Sequence, residues 1–186
     1  MKWYGILFLF ALAVVTANLT AVMRVPDFDV ARDAAAPRLF EPMPAQKLPA
    51  DGLKDLNGAP VVLPEKPFLL VFFAAECPYC KMFHAVLKNV SKDIAVVGVL
   101  TRPDKNGVLQ AQLKAADQPY AAVVYDASGT WSRAFRISGV PEIFFVGADK
   151  TASARYEGAF GAQDYEAVLR AQLLDMTNGG GHASSP

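Results

Sequence analysis

Cys77-Pro78-Tyr79-Cys80 contains both cysteines of the 186-residue sequence and lies where two patterns of apolar residues meet. The residues before it, Pro67 to Ala75, form a continuous apolar run that is typical of a buried strand. After it, apolar side chains recur at helical spacing, at Met82, Phe83, Val86, Leu87 and Val90. The sequence therefore predicts a strand, then the cysteine pair, then a helix of about residues 79–91.

This junction suits thiol chemistry. The first turn of a helix presents unpaired backbone N–H groups and the positive end of the macrodipole, and both favour a thiolate over a thiol. Because the thiolate is the attacking species in disulfide exchange, we expect Cys77 to be the nucleophile. Cys80, one turn further along, is then the resolving thiol that closes a disulfide with Cys77. Pro78 fits the first helical turn, where its missing N–H costs nothing.

Residues 1–24 are predicted to export the rest of the chain. No charged residue occurs between Lys2 and Arg24, and residues 3–23 match the roughly 20 apolar residues of a membrane span. The segment also fits a cleavable signal peptide, because small residues follow its core at Val15-Thr16-Ala17. The anchor is favoured over the signal since apolar residues continue to Met23, and a buried core helix is the third alternative. Either favoured alternative places the domain outside the cytoplasm.

The remaining chain divides by composition into three parts. Residues 25–48 are rich in proline and are predicted to be a tether without regular structure. Residues 49–176 are predicted to form one domain that can bury its own core, so the two cysteines are not needed as a structural link. Residues 177–186, which include His182, are Gly/Ser-rich and predicted to be disordered. The formal net charge of zero gives no electrostatic basis for binding nucleic acid, and we exclude that class.

Strand and helix patterns alternate through the domain, which indicates an α/β fold. The predicted strands are residues 60–63, 68–75, 94–100, 121–125, 142–146 and 152–156. The predicted helices are residues 79–91, 108–115, 130–135 and 162–175.

This order, with C-x-x-C before the first core helix and Val140-Pro141 before a late hairpin, resembles the thioredoxin fold, a central mixed sheet flanked by helices. More narrowly, the chain resembles the membrane-tethered DsbE/CcmG (TlpA-like) family of cytochrome c maturation reductases. The likeness covers about residues 48–175. It is carried by three segments: residues 71–80, residues 118–129 with their Gln-Pro-Tyr and Asp-x-x-Gly, and residues 139–146.

The resemblance implies a thiol:disulfide oxidoreductase on the periplasmic side of the bacterial inner membrane. Its dithiol would reduce cysteines of apocytochrome c, or of another thiol protein of cytochrome maturation, before haem attachment. A membrane dithiol would supply the electrons, and no cofactor or metal is implied. Lys81 follows Cys80, so the chain lacks the C-x-x-C-H haem attachment motif itself.

Three positions depart from the family pattern. Glu76 stands in place of a tryptophan, Phe83 in place of an acidic residue, and Val71 in place of the buried aspartate of thioredoxins proper. A carboxylate in the second helical turn, where Phe83 stands, would help a proton leave Cys80. Without that carboxylate, the group that takes the proton from Cys80 must be Glu76, Glu142 or His84, or no side chain assists the step.

The resemblance and the physics of proline together predict a cis bond between Val140 and Pro141, beside the cysteine pair. The sharp turn would leave the Val140 backbone free to pair with an extended client peptide, as in strand addition. Glu142 would lie at the rim and influence which clients are accepted, or else be an ordinary surface carboxylate. Tyr79 either covers the disulfide or contacts clients.

Other uses of the cysteines remain open. Cys77 and Cys80 could form an inert disulfide or half of a zinc site. With His84, which is otherwise an ordinary helix histidine, they could supply three ligands to Cu(I) in a copper-delivery protein. A general periplasmic disulfide oxidant is a further alternative, since the sequence does not fix the redox potential.

Overall fold

A mixed sheet of six strands is the centre of the computed structural model, which describes residues 40–49, 54–105, 107, 109, 113, 118–165 and 170–178. The strands are β1 (Glu41–Lys47), β2 (Phe68–Phe73), β3 (Ala95–Leu100), β4 (Ala122–Tyr125), β5 (Glu142–Val146) and β6 (Thr151–Glu157). The helices with assigned bounds are α1 (Pro78–Val90), α2 (Thr130–Ala134), α3 (Ala162–Asp164) and α4 (Arg170–Thr177).

The strand order across the sheet is β1-β6-β5-β2-β3-β4. Strands β2, β3 and β4 run parallel, whereas β5 is antiparallel to both β2 and β6, and β1 is antiparallel to β6. The predicted α/β class with a central mixed sheet is therefore confirmed.

Strand β2 is buried along its whole length because both faces of the sheet are covered. Leu69, Val71 and Phe73 pack in the cluster that includes Phe83 and Leu87 of α1. The alternate residues of β2 pack on the other face, with Trp131 of α2. This two-sided burial explains why the strand is continuously apolar.

Helix α1 begins at the residue after Cys77 and buries one stripe of side chains, Cys80, Phe83, Leu87 and Val90. The spacing of that stripe is the helical one that the sequence predicts. The helix and β2 therefore place the cysteine pair at the carboxyl end of a central strand, as expected.

The prediction that residues 25–48 lack regular structure is wrong for residues 41–47, which form the edge strand β1. Pro42 and Pro44 had argued against a strand. They are accommodated because β1 lies at the edge of the sheet, and its pairing with β6 shifts register between Pro42 and Gln46. At the opposite edge, the N–H of Tyr125 in β4 donates to the carbonyl of Lys54, 3.1 Å away.

Residues 60–63 are not a strand, contrary to prediction, and only Pro60 forms an isolated bridge, with Lys54. Val61 and Leu63 still pack against the core, so these residues are apolar because they pack there and not because they belong to a strand of the sheet. The last helix extends to Thr177, where disorder had been predicted. Most of the predicted helix 108–115 lies outside the described residues.

The predicted anchor or signal (residues 1–24), the first part of the tether and residues 179–186 of the tail also lie outside the described residues. Within the part of the chain that the structure describes, no helix has both the length and the apolarity needed to span a membrane.

Candidate active site

Cys77 is the N-cap residue of α1. Its backbone is extended, with φ −68° and ψ 120°, and its Sγ accepts a hydrogen bond from the backbone N–H of Cys80, 3.2 Å away. Pro78 follows in the first helical turn, as predicted. A sulfur in this position receives a helix N–H directly, which stabilises negative charge on it.

Cys80 lies on the opposite, inward side of the same turn. Both cysteines are thiols in this structure, but Cys77 is half-buried whereas Cys80 is buried in the core cluster under β2. Burial raises the pKa of the Cys80 thiol to about 12, and the neighbouring Cys77 sulfur contributes to the rise. Cys80 therefore holds its proton at neutral pH.

Val140 and Pro141 lie directly beside Cys77. The peptide bond between them is cis, as predicted. The Cys77 thiol donates to the carbonyl oxygen of Val140 across 3.6 Å, a long hydrogen bond of the kind sulfur makes. The loop before β5 thus presents backbone polar atoms to the reacting sulfur.

Glu142 is not at the rim, and the prediction of an exposed carboxylate is wrong. It is the first residue of β5, and its side chain is 2% exposed. Its Oε1 lies 2.5 Å from Nε of Arg155 on β6, and Arg155 also pairs with the exposed Glu157. Burial raises the pKa of Glu142 to about 7, although Arg155 opposes the rise.

The other predicted site residues lie on or near the first turns of α1. Glu76 and Pro78 are exposed, Tyr79 is 66% exposed, and His84 is half-buried. Met82, one turn after Tyr79, is also an exposed large apolar side chain. Phe83 packs edge-on against Phe160, with ring centroids 4.5 Å apart, so an apolar residue is required at that position.

Tyr120 is a site residue to which the sequence had assigned no role. It is buried, stacks on Phe73 at 5.1 Å between ring centroids, and lies 5.6 Å from the His84 ring. The ring fits because residue 98 is glycine: a Cβ there would lie 2.8 Å from Phe73 and 3.0 Å from Tyr120. A glycine inside the apolar strand β3 was the signal for this close approach.

A small cavity of about 10 Å³ lies between Cys80, His84 and Tyr120. Its remaining walls are Phe73, Ala74, Ala75 and Lys81. Such a volume is roughly the smallest that holds one water molecule.

The alternative of a copper site required Cys77, Cys80 and His84 to converge. Among the described residues, no three His, Cys, Asp or Glu side chains are grouped in a way that could hold a metal ion. The arrangement instead offers one accessible sulfur and one buried thiol in the same helical turn, which is a geometry for disulfide exchange.

Comparisons with known proteins agree with this geometry. A family model described as a thioredoxin-like domain matches residues 61–173. The chain is 26% identical over 161 residues to the thiol:disulfide interchange protein DsbE of Escherichia coli, covering 86% of each chain. It is 29% identical over 138 residues to DsbE of Pseudomonas aeruginosa, covering 73% of each. Among solved structures it is similar to a thio-disulfide isomerase from Thermus thermophilus, with a TM-score of 0.52, 27% identity, and coverage of 71% of this chain and 96% of that one.

Proposed function

This chain belongs to the thioredoxin-like family, among its DsbE thiol:disulfide interchange proteins, and from this premise we propose that it is an exported oxidoreductase that reduces disulfides in client proteins. The single observation that carries the proposal is the asymmetry of the two sulfurs. Cys77 accepts an N–H of the helix terminus and is partly accessible, whereas Cys80 is buried and keeps its proton.

The reaction has two exchange steps. The Cys77 thiolate attacks one sulfur of a client disulfide, and the other client sulfur leaves with the electron pair and takes up a proton. The Cys80 sulfur then attacks Cys77, the mixed disulfide breaks, and the second client thiol is released. Two electrons pass from the dithiol to the client, and the protein is left with a Cys77–Cys80 disulfide.

The cis Val140–Pro141 segment is proposed to hold the client. Its carbonyl already lies at hydrogen-bond distance from Cys77 Sγ, so an extended peptide paired with this segment would bring its own sulfur to Cys77. Tyr79 is proposed to contact the client from the helix side, because its ring is exposed and it lies between the two cysteines in the sequence. Glu142, being buried, would act on clients only through this loop.

The finer assignment is reduction of apocytochrome c cysteines, or those of another maturation thiol protein, with electrons returned by a membrane dithiol. What supports it is the DsbE relationship and the residues that carry the likeness, Gln118-Pro119-Tyr120 and Pro141-Glu142 among them. The reaction is proposed to take place on the periplasmic side of the inner membrane, with residues 3–23 as anchor or cleaved signal. Alkaline phosphatase fused after Pro49 is then expected to be active. A soluble mature protein that begins near Asn18 would show a cleaved signal.

The function is tested with the full-length reduced protein and an oxidised peptide that contains Cys-x-x-Cys-His, the haem attachment motif. Peptide thiols should appear as protein thiols disappear, and the Cys77→Ser variant should be inactive. An unrelated disulfide peptide of equal length is the matched control. Equal rates of reduction of the two peptides would contradict the proposed specificity for apocytochrome c. They would still support the proposed disulfide reductase activity.

Two further outcomes would change the assignment itself. Rapid oxidation of reduced peptides in a glutathione buffer, without net reduction, would make the protein a general oxidant. Tight Cu(I) binding with negligible disulfide exchange would make it a copper-delivery protein.

A further inference from the structure

The second exchange step requires Cys80 to lose a proton in a place that water does not reach freely. Cys80 is 8% exposed, and burial holds its pKa near 12. A neighbouring group that accepts the proton would therefore raise the rate of this step. The group must lie within hydrogen-bond reach of the Cys80 sulfur or one water molecule away.

Two carboxylates near the site are poorly placed for this role. Glu76 precedes the helix and is exposed to solvent. Glu142 is buried on β5 and is held in an ion pair by Arg155. The position three residues after Cys80 carries Phe83, which is packed in the core against Phe160 and offers no proton acceptor.

His84 is placed differently because it follows Cys80 by four residues on α1. Side chains at this spacing lie on the same face of a helix, with their Cβ atoms about 5–6 Å apart. Both side chains line the cavity of about 10 Å³ described above, and Nε2 of His84 is shielded from solvent. The cavity is just large enough for a single water molecule to bridge the two groups.

The other titratable groups around the cavity do not compete as bases. Tyr120 closes the cavity, and burial together with the nearby Cys80 raises the pKa of its phenol above its usual range, so it stays protonated. Lys81 is an exposed residue, and an ammonium group has hydrogen-bond donors but no acceptor. Of the described residues that line the cavity, His84 alone carries an imidazole nitrogen whose lone pair can take up a proton.

We propose that His84 accepts the proton of Cys80, through one water molecule in this cavity, during the resolving step. This inference rests on the proposed function. As Cys80 S–H loses its proton to the bridging water, that water passes a proton to His84. The Cys80 sulfur forms a bond to Cys77, the Cys77–client S–S bond breaks, and the electron pair leaves on the client sulfur. His84 later releases its proton to solvent when the client has departed.

The two exchange steps are separated in time with an excess of full-length reduced protein and a chromogenic aromatic disulfide. The first thiolate is released when Cys77 attacks, and the second when Cys80 resolves the mixed disulfide. In His84→Gln the first phase should be unchanged, whereas the second should slow by about 10²-fold, the lower end of general base effects. The wild-type second phase should also slow on acidification, because a protonated imidazole cannot accept a further proton, and the variant should lose that dependence.

Lys81→Gln is the matched control, because it changes another residue that lines the same cavity without removing an imidazole. It should leave both phases within about twofold of wild type, the effect of an exposed charge. An unchanged second phase in His84→Gln, or an equal loss in Lys81→Gln, would overturn the role of His84. Absence of both phases in the wild-type protein would instead overturn the proposed function. Far-UV circular dichroism of each variant checks its folding, because a thiol on an unfolded chain would also release the first thiolate.

Discussion

The surroundings of Cys77 and the surroundings of Cys80 differ although the two residues share one helical turn. Cys77 contacts two backbone polar groups, which are the N–H of Cys80 and the carbonyl of Val140. Exposed side chains such as Tyr79 follow it in the helix. Around Cys80 lie the rings of Phe73 and Tyr120, the half-buried His84 and a cavity of one water's size. One sulfur is partly accessible to solvent, and the other faces the core.

The difference shows how a single helix start can provide two distinct thiols. A sulfur that receives N–H groups and meets solvent is suited to attack. A buried sulfur remains protonated, and it is expected to react only after the mixed disulfide has formed. The division comes from the position of each residue on α1: Cys77 is outside the helix as its cap, and Cys80 is on the buried stripe.

The largest expected effect is the loss of either sulfur. Cys77→Ser should abolish reduction of client disulfides and trap no client. Cys80→Ser should retain the first attack and accumulate a mixed disulfide, which non-reducing electrophoresis and mass spectrometry would detect. Faster alkylation of Cys80 than of Cys77 at about pH 6 would reverse the assignment of the two roles.

Crowding the Cys80 side is the next test. Gly98→Ala would place a methyl group 2.8 Å from Phe73 and 3.0 Å from Tyr120. We expect the free energy of unfolding to fall by about 1–3 kcal/mol, the cost of overpacking a core. Urea denaturation measures it. Gly139→Ala is the matched control, since a Cβ there meets nothing within 4 Å, and equal losses in both variants would contradict the packing argument.

On the Cys77 side, Glu142 should make stability depend on pH. Its folded-state pKa is raised from 4.5 to about 7, so between these values the folded protein binds more protons than the unfolded chain. The free energy of unfolding should therefore fall as the pH rises through this window, and the loss should be complete above pH 7. We expect a loss on the order of 1 kcal/mol, reduced by the partly solvated Arg155 partner.

Chemical denaturation of Glu142→Gln across the same pH range checks this effect, because the amide cannot titrate. Glu157→Gln is the comparison variant, since its carboxylate pairs with the same Arg155 but is 66% exposed; it should keep most of the pH dependence, because burial is the main cause of the raised pKa of Glu142. A Glu142→Gln variant that keeps the full wild-type slope would show that another group is responsible.

The smallest expected effect concerns the exposed apolar pair Tyr79 and Met82. Each is expected to contact clients near Cys77, and Tyr79→Ser or Met82→Ser should raise KM for a protein client by roughly fivefold, the equivalent of about 1 kcal/mol. The rate with a small aromatic disulfide should not change. Val62→Ser, at an 87% exposed apolar position elsewhere in sequence, should leave KM unchanged. A similar rise in that variant would indicate non-specific apolar binding.

The elements around the cysteines could be predicted because their signals are local. The continuous apolar run of β2 and the helical spacing of the buried stripe of α1 are both visible in the sequence, and they place Cys77 and Cys80 at the start of the helix. The start and end of β5 were predicted to the residue, since Pro141 precedes it directly.

The remaining features depend on contacts between distant segments. Glu142 is buried because the register of β5 against β6 brings Arg155 to it, and no local pattern contains that register. Tyr120 reaches the cavity because β3 carries a glycine opposite its ring. Strand β1 was missed because its prolines argue against a strand in general, though not against one at a sheet edge.

That proline-containing edge has a consequence for a protein whose proposed clients bind as extended peptides. An unpaired edge strand is a template on which extended polypeptides add, and it leads to aggregation. Pro42 and Pro44 remove two N–H donors from the outermost strand β1, and the register shift after Pro42 disrupts its ladder. At the other edge of the sheet, the N–H of Tyr125 already donates to the carbonyl of Lys54. Strand β1 is therefore a poor template for strand addition at its edge of the sheet, and the proposed client contact lies instead beside the Cys77 sulfur.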